Sequence, residues 1–328
     1  MDVLIVEPLD PEVLAWLSSR RALRFAPQLA QDPHAFRKAL YPARAAIVPP
    51  HVTLDADVLL GAPLLRAVGR VSAGAENIDT DACTRLGIEV VRPASASATA
   101  EAEFAIATLL QMLRSVPVVN ADGLLVGREL AGCTVGIVGM APAARPLGAL
   151  VQAFGAHAVG YDPAVHASDA LWQRWRIRPL GLRELFETCD AVVVLLPYYT
   201  RYRGLLGERV LGLSRPNQVL ACLSHSSVFD EVALAQALSS GRMAAAWFDS
   251  AEPGLLDPGR PLRHLDTVQV TPQVASTTLE SRQRGAWAVA RRIDELLGGA
   301  AANEPAPPAF RNSRPDDLAD LADAPAPA

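Results

Sequence analysis

Lysine is almost absent from this sequence. Lys38 is the only one, and the remaining basic residues are arginines scattered along 328 residues. No Lys/Arg block forms and the formal charge is −5 at neutral pH, so the basic footprint of a nucleic-acid binder is missing. Cysteine is scarce too. Cys83, Cys133, Cys189 and Cys222 lie far apart with no C-x-x-C pair, which argues against a zinc site or a disulfide framework. That spacing predicts buried thiols in a reducing cytoplasm. His34, His157, His166 and His264 lack metal-ligand spacing, so no metal is expected. Long hydrophobic runs are also missing. The longest, Phe104 to Leu113 and Ala191 to Leu196, fall short of the roughly 20 residues that cross a bilayer. The opening MDVLIVEPLD has an early acid and no basic run, and reads as a first strand, not a signal peptide. Neither nucleic acid nor membrane is expected as a partner.

Apolar material, by contrast, is plentiful: half the residues are hydrophobic, enough for the cores of two ordinary domains. Short β-like runs alternate with helical patterns nearly from end to end, which predicts parallel sheets covered by helices. In the first part the expected strands are 3–8, 23–27, 45–50, 66–74 and 88–91, with a helix over 11–19. PASASA (93–98) reads as a linker, and 99–116 as a long helix with little polar face. The second series predicts strands over 133–140, 157–162, 191–197, 218–224, 244–250 and 267–272, apolar on both faces as central parallel strands are. A helix over 277–297 should end at Gly298 and Gly299. The Pro-, Ala- and Asp-rich tail, 300–328, cannot bury enough to offset its ordering entropy and is expected to be disordered, with a short helix over 316–322 as the alternative.

One run carries chemistry in its spacing. TVGIVGMAPAARPLGALVQAFGAHAVGYDP reads as strand, tight turn, helix and a second strand ending in an acid. Dinucleotide sites use G-x-G-x-x-G here, so that the backbone can approach the pyrophosphate at a helix N-terminus. A later acid takes the ribose hydroxyls. Gly139 keeps the first place and Asp162 is the acid, but Ala141 and Ala144 replace the other glycines. Their methyls are expected to crowd the phosphate approach and the helix packing. Pro142 has no N–H to offer a phosphate. Two readings stay open: retained dinucleotide binding through Gly139, Ala141, Pro142, Ala143, Ala144 and Asp162, or a βαβ unit that only holds its shape. If a cofactor binds, Asp162 favours NAD, because a carboxylate repels a 2′-phosphate.

With these motifs in order, the chain resembles the D-2-hydroxyacid dehydrogenase family, which includes phosphoglycerate, formate and phosphite dehydrogenases and the C-terminal-binding-protein corepressors. The resemblance covers about residues 1–299. It rests on SAGAENIDTDACTRLGIEV (72–90), AEFAIATLLQMLR (102–114), the Gly139 turn, LLPYYTRYRGLL (195–206), VFDEVALAQALSSGRMAAAWFD (228–249), AEP (251–253) and VTPQVASTTLES (270–281). It implies a Rossmann-type doubly wound parallel sheet plus a second, flavodoxin-like α/β substrate domain. The substrate domain would be 1–98, completed by the helix 280–299, and the dinucleotide domain 99–279, with the active site between them. It also implies NAD, with Pro197 and Asp249 added to the cofactor residues, and a homodimer using the helix near 99–116.

The family's catalytic set is an Arg that forks onto the substrate carboxylate, a His that moves the carbinol proton, and a Glu that orients the His. Here CLSHSSVFDE (222–231) puts His225 in the Arg place and TPQ puts Gln273 in the His place. Glu252 keeps the Glu place, on a loop two residues shorter than the family's D-V-F-x-x-E-P. An amide neither gains nor loses a proton near neutral pH, and losing a general acid–base costs about 10²–10⁴ in rate. His225 has no bidentate fork. Ordinary hydride transfer to a 2-oxo acid is therefore expected to be impaired or lost, leaving a regulatory or binding protein with an unidentified small-molecule or protein partner. The alternative is an active oxidoreductase on an unusual 2-hydroxy acid, using His225 and Glu252 as a relocated pair. Arg203 is expected either to reach the cleft or to cap a helix.

Overall fold

The computed structural model describes residues 1–298 except 73, 75, 76, 94, 116, 117 and 198. The expected tail and its alternative helix lie outside the described residues. The chain divides into two compact units, one comprising Met1–Ser97 with the segment from Ser276 onward, the other Ala98–Ala275.

In the first unit, β1 (Val3–Ile5), α1 (Pro11–Ser18), β2 (Leu23–Phe25), α2 (Pro33–Leu40), β3 (Ala45–Ile47), α3 (Ala56–Leu60), β4 (Ala67–Gly69), α4 (Thr80–Leu86) and β5 (Glu89–Val91) alternate. Proline opens α1 and α2, where its missing N–H costs nothing. Asp32, Asp55 and Asp79 cap α2, α3 and α4 through their carboxylates. The five strands are all parallel in the order β2-β1-β3-β4-β5, the flavodoxin-like arrangement.

The second unit opens with α5 (Ala98–Ser115) and a two-stranded hairpin, β6 (Val118–Val119) and β7 (Leu125–Val126). The series continues with β8 (Thr134–Val138), α6 (Ala144–Ala153), β9 (His157–Tyr161), α7 (Ala170–Trp175), β10 (Arg178–Pro179) and α8 (Leu182–Thr188). Then come β11 (Ala191–Val194), α9 (Glu208–Leu211), β12 (Gln218–His225), α10 (Glu231–Ser239), β13 (Met243–Ser250) and β14 (Val268–Val270). These seven strands form one parallel sheet, ordered β10-β9-β8-β11-β12-β13-β14, the doubly wound Rossmann pattern. The order in which strands are added reverses between β8 and β11, and ligands of open α/β sheets bind at the carboxyl ends of strands at such a point. The sheet is packed on both faces. Val135, Ile137 and Val193 join α5 and α6 in one core, and Val138, Val192, Val194 and Phe248 join α8 to α10 in the other.

The last helix, α11 (Leu279–Leu296), begins with a capping box between Thr278 and Ser281. It packs its Val289, Ala290 and Ile293 into the first unit's core. Most strands are shorter than the apolar runs that announce them: 45–50, for example, yields only Ala45–Ile47, because Pro49 and Pro50 cannot donate to a ladder; β12 and β13 instead run one residue longer than read. The helix 98–115 is not polar-free either, since Glu103, Ala107, Gln111 and Arg114 are exposed along one side. Three of the four thiols are buried, but Cys133 is only half-buried, because it precedes β8 and is not part of it.

Candidate functional site

The turn after β8 is built around Gly139. Its φ is 104°, a value that side chains rarely adopt, and a Cβ there would lie 2.7 Å from the Leu196 nitrogen. Glycine therefore lets the β8 and β11 loops touch, fixed by bonds from Gly139 N–H to Tyr161 O and from Leu195 N–H to Val138 O, both 2.7 Å. Asp162, at the end of β9, accepts the Met140 N–H at 2.6 Å and the Ala164 N–H at 2.7 Å, so the ribose-position acid also braces the turn.

The expected crowding of the helix by Ala144 is not what the fold shows. Ala143 and Ala144 are fully buried in the core between α6 and the sheet. The close approaches are made instead by Gly148 and Gly160, whose added Cβ atoms would press on Ile177 at 3.0 and 2.9 Å. The deficit is in donors. Pro142 lies in the turn and Pro146, which spacing alone did not single out, in the first turn of α6, and neither has an N–H. The Ala144 N–H is held by Ala141 O at 2.8 Å.

The remaining site residues collect at the carboxyl ends of β11 to β14. His225 ends β12, where the ladder with β13 shifts register between Cys222 and His225. Its Nδ1 accepts the Ser227 N–H at 3.2 Å and lies 2.8 Å from Ser227 Oγ. A nitrogen that accepts an amide hydrogen carries a lone pair, so in the neutral ring the proton sits on Nε2. His225, Ser224, Pro197, Tyr199 and Tyr202 line a small pocket. Within it Ser224 Oγ is buried and has no partner among the described residues, which leaves a donor for a polar ligand to satisfy.

Gln273 follows β14 with φ 56°, a costly backbone for a residue other than glycine. Asp249 holds it there. The Asp249 carbonyl accepts the Gln273 N–H at 2.7 Å, and its buried carboxylate accepts Thr271 Oγ1 at 2.6 Å, Val274 N–H at 3.0 Å and Ala275 N–H at 2.9 Å. Both Asp249 oxygens are thus engaged by the 271–275 loop. The Gln273 amide donates to Ser250 Oγ at 3.0 Å, and Ser250 pairs with His225 across the strands. The structure thereby brings the 225 and 273 places together through Ser250.

Glu252 has different company. Its N–H donates to Ser226 Oγ at 2.8 Å, while its carboxylate lies 4.0 Å from Arg203 and 3.8 Å from Arg260. Arg203 closes the short 3₁₀ turn Thr200–Tyr202 as its C-cap, donating its N–H to Thr200 O at 3.2 Å, while its guanidinium lies toward Glu252. Ser227, Ser250 and Arg260 escaped sequence reasoning. Only Ser227 left a signal, a serine two residues past a histidine, where it can bond the ring locally. Among the described residues no group of three or more His, Cys, Asp or Glu could hold a metal, and no helix is long and apolar enough to cross a membrane.

The residues at the β8 turn fit a dinucleotide at its ribose end, through Gly139 and Asp162, with fewer backbone donors left for the phosphates. Comparison with known proteins agrees with this assignment. Residues 106–275 match the family described as D-isomer specific 2-hydroxyacid dehydrogenase, NAD binding domain. The chain is 32% identical over 307 residues to D-3-phosphoglycerate dehydrogenase of Mycobacterium tuberculosis (strain ATCC 25618 / H37Rv), covering 90% of this chain and 57% of that protein. It thus spans little more than half the length of such relatives. It is 31% identical over 305 residues to (S)-sulfolactate dehydrogenase of Chromohalobacter salexigens, covering 90% of this chain and 98% of the relative. Among solved structures, NAD⁺-bound 3-phosphoglycerate dehydrogenase of Entamoeba histolytica superimposes with a TM-score of 0.70 at 17% identity, over 92% and 97% of the two chains, a likeness of fold. The parallel sheet, the glycine turn with its acid, and the matched sequences together make this chain a member of the D-isomer-specific 2-hydroxyacid dehydrogenase family, carrying that family's NAD-binding domain.

Proposed function

We propose that this chain binds NAD and is impaired in, or lacks, ordinary hydride transfer to 2-oxo acids, acting as a regulatory or binding member of its family, a pseudoenzyme. Gln273 carries this reading. At the place where the family keeps its proton-moving imidazole, the side chain is an amide that donates to Ser250 Oγ and has no proton to exchange. Bound NAD⁺ supplies a hydride acceptor at the nicotinamide, and Gly139, Ala141, Ala143 and Asp162 are the residues to hold it, with Pro197 and Ser224 beside the small pocket. His225 contributes at most one N–H to a carboxylate, in place of a guanidinium fork. The relocated-pair alternative, His225 with Glu252, is disfavoured because Ser227 engages the ring's acceptor nitrogen and two guanidiniums flank the carboxylate.

The chain also acts as a homodimer in this reading, through α5 and the β6–β7 hairpin. Val119, Leu124 and Leu125 on that hairpin are 67%, 61% and 69% exposed, a cluster that a monomer has reason to cover.

The test combines calorimetric titration with NAD⁺ and NADH and assays on D-3-phosphoglycerate and (S)-sulfolactate, the acids named in the relatives. Saturable cofactor binding with turnover at the buffer background is the expected result. The double variant His225→Arg, Gln273→His should then gain about 10²-fold or more in NADH formation on one of these acids. Fast NADH formation by the unaltered chain overturns the proposal.

A further inference from the structure

The turn after β8 is short of donors, yet the loop beside it carries an arginine with no acidic partner among the described residues. Pro142 and Pro146 have no N–H, and the Ala144 N–H is taken by Ala141 O. A diphosphate at this helix N-terminus meets few backbone hydrogens. Gly139 lies against the end of β11, where a Cβ would come within 2.7 Å of Leu196 N, and from Leu196 the chain runs straight into the loop 197–203. Tyr161, the last residue of β9, packs against the core cluster that holds Tyr202. Its hydroxyl is held above the ordinary range by burial, then by Asp162 and Tyr202, so Tyr202 is within electrostatic reach of the end of β9. Arg201 itself is exposed. Its guanidinium lies over the faces of Tyr199 at 4.9 Å and Tyr202 at 5.0 Å, rings that meet edge to face 5.6 Å apart. Among the described residues its one hydrogen bond runs from Nη2 to Tyr202 Oη at 3.3 Å, and no carboxylate pairs with it. The rings hold the cation through their quadrupoles and order its long side chain before a ligand arrives. Most of its five N–H donors are left for an oxygen acceptor.

We infer that Arg201 anchors the diphosphate of bound NAD, in place of the backbone hydrogens that Pro142 and Pro146 withhold. This rests on the reading that the chain binds NAD. A guanidinium meets a phosphate with two parallel charge-assisted bonds, and a long side chain brings it to an anion that the turn itself grips poorly. Asp162 is engaged elsewhere, since its two oxygens accept the Met140 and Ala164 N–H groups. The acid serves the ribose and the arginine serves the phosphates. Recognition of the cofactor's charge thereby passes from several backbone amides to one exposed side chain, whose attraction salt screens.

Calorimetry on the full chain compares three probes: NAD⁺, ADP-ribose, which keeps the diphosphate without the nicotinamide, and adenosine, which has neither. Arg201→Met removes the charge and keeps an apolar body on the rings. It should weaken NAD⁺ and ADP-ribose about tenfold or more and leave adenosine unchanged, with its melting temperature confirming the fold. Arg201→Lys keeps the charge without the fork and should recover part of the loss. Added salt should weaken ADP-ribose binding more steeply in the unaltered chain than in Arg201→Met. Arg209→Met removes the same charge from an exposed position on α9 and should change none of the three affinities. The inference is overturned if NAD⁺ and ADP-ribose ignore Arg201→Met, if adenosine loses as much, or if Arg209→Met does the same. A loss confined to D-3-phosphoglycerate, with ADP-ribose unchanged, would make a substrate phosphate the anion and overturn it too. Failure of every probe to bind removes the NAD reading itself, whereas bound NAD⁺ that is indifferent to Arg201 removes this inference alone.

Discussion

Glu7, just past β1, is a carboxylate with 2% of its surface exposed. Arg282 lies 3.6 Å from its Oε1, while its Oε2 has no partner among the described residues. Burial pushes its pKa above the ordinary value of 4.5, and Arg282 opposes that rise without cancelling it. A carboxyl that holds its proton longer when folded makes the folded state bind more protons across that window, so stability falls as pH rises through it. The contribution is full below about 4.5, the ordinary carboxyl value. It is lost as pH climbs to the raised value and is flat beyond. Glu7→Gln removes this one titration. The difference in urea-unfolding free energy between the unaltered chain and Glu7→Gln should therefore shift against the unaltered chain as pH rises from 4.5 toward neutral. A difference that is level with pH contradicts the assignment. At this scale the linear motifs put His225, Glu252 and Gln273 forward as the candidates for the family's three catalytic places. They did not disclose the partners of these residues. Ser250 reaches Gln273 through the path of the loop after β14, and Arg260 reaches Glu252 across a loop closure; neither spacing follows a local period. The αL backbone at Gln273 is likewise imposed from outside the loop, by Asp249.

Elements were legible where apolar runs and their stop signals agreed. The helix read over 11–19 is Pro11–Ser18, and the one read over 277–297 is Leu279–Leu296, each marked by proline or a capping residue. The β6–β7 hairpin was not seen, since two-residue strands leave no alternation to detect. Its turn did leave a mark: Asn120 Oδ1 accepts the Asp122 and Leu124 N–H groups at 3.0 and 2.9 Å, and Gly123 takes φ 82°, the chemistry expected of an N-x-x-G turn. The turn after β8 shows the opposite case, a motif legible in outline whose consequence needed the fold. Methyl crowding by Ala141 and Ala144 was the expectation; Ala144 packs fully buried in the core, and Pro142 and Pro146 withhold N–H donors from the turn. Restoring one donor should then act on phosphate affinity alone. Pro142→Ser puts an N–H back where an anion is bound at a helix N-terminus, and a hydrogen bond to a charged group contributes about 1.5–3 kcal/mol. Calorimetry should show NADH binding tightened about tenfold or more, while adenosine, which has no phosphate, gains nothing. Equal tightening of both would trace the effect to a general loosening of the loop.

For the molecule as a whole, parallel sheets are the property that sequence alternation reaches best, because parallel strands need long crossovers and their usual right-handed connection prunes the arrangements. The particular orders β2-β1-β3-β4-β5 and β10-β9-β8-β11-β12-β13-β14 match the flavodoxin-like and doubly wound forms that the family resemblance implied, not anything in the repetition itself. What repetition cannot specify is the surface that a second copy would cover in the proposed dimer, since exposure belongs to the finished fold. The hairpin after α5 concentrates Val119, Leu124 and Leu125 at 67%, 61% and 69% exposure within a short stretch, and α5 itself leaves Phe104 and Leu110 only half-buried. Each aliphatic side chain withdrawn from water contributes about 1.5–3 kcal/mol, and a two-fold interface counts every such residue twice. Two charges placed on the hairpin should thus weaken association far more than they disturb a monomer, because these side chains are already solvated there. Sedimentation velocity on the unaltered chain at micromolar concentration should give a species of twice the chain mass. Leu124→Asp, Leu125→Asp should sediment as a monomer with its circular dichroism unchanged and its NAD⁺ binding retained. A double variant that stays dimeric would move the interface elsewhere on the chain, and an unaltered chain that runs as a monomer would remove it.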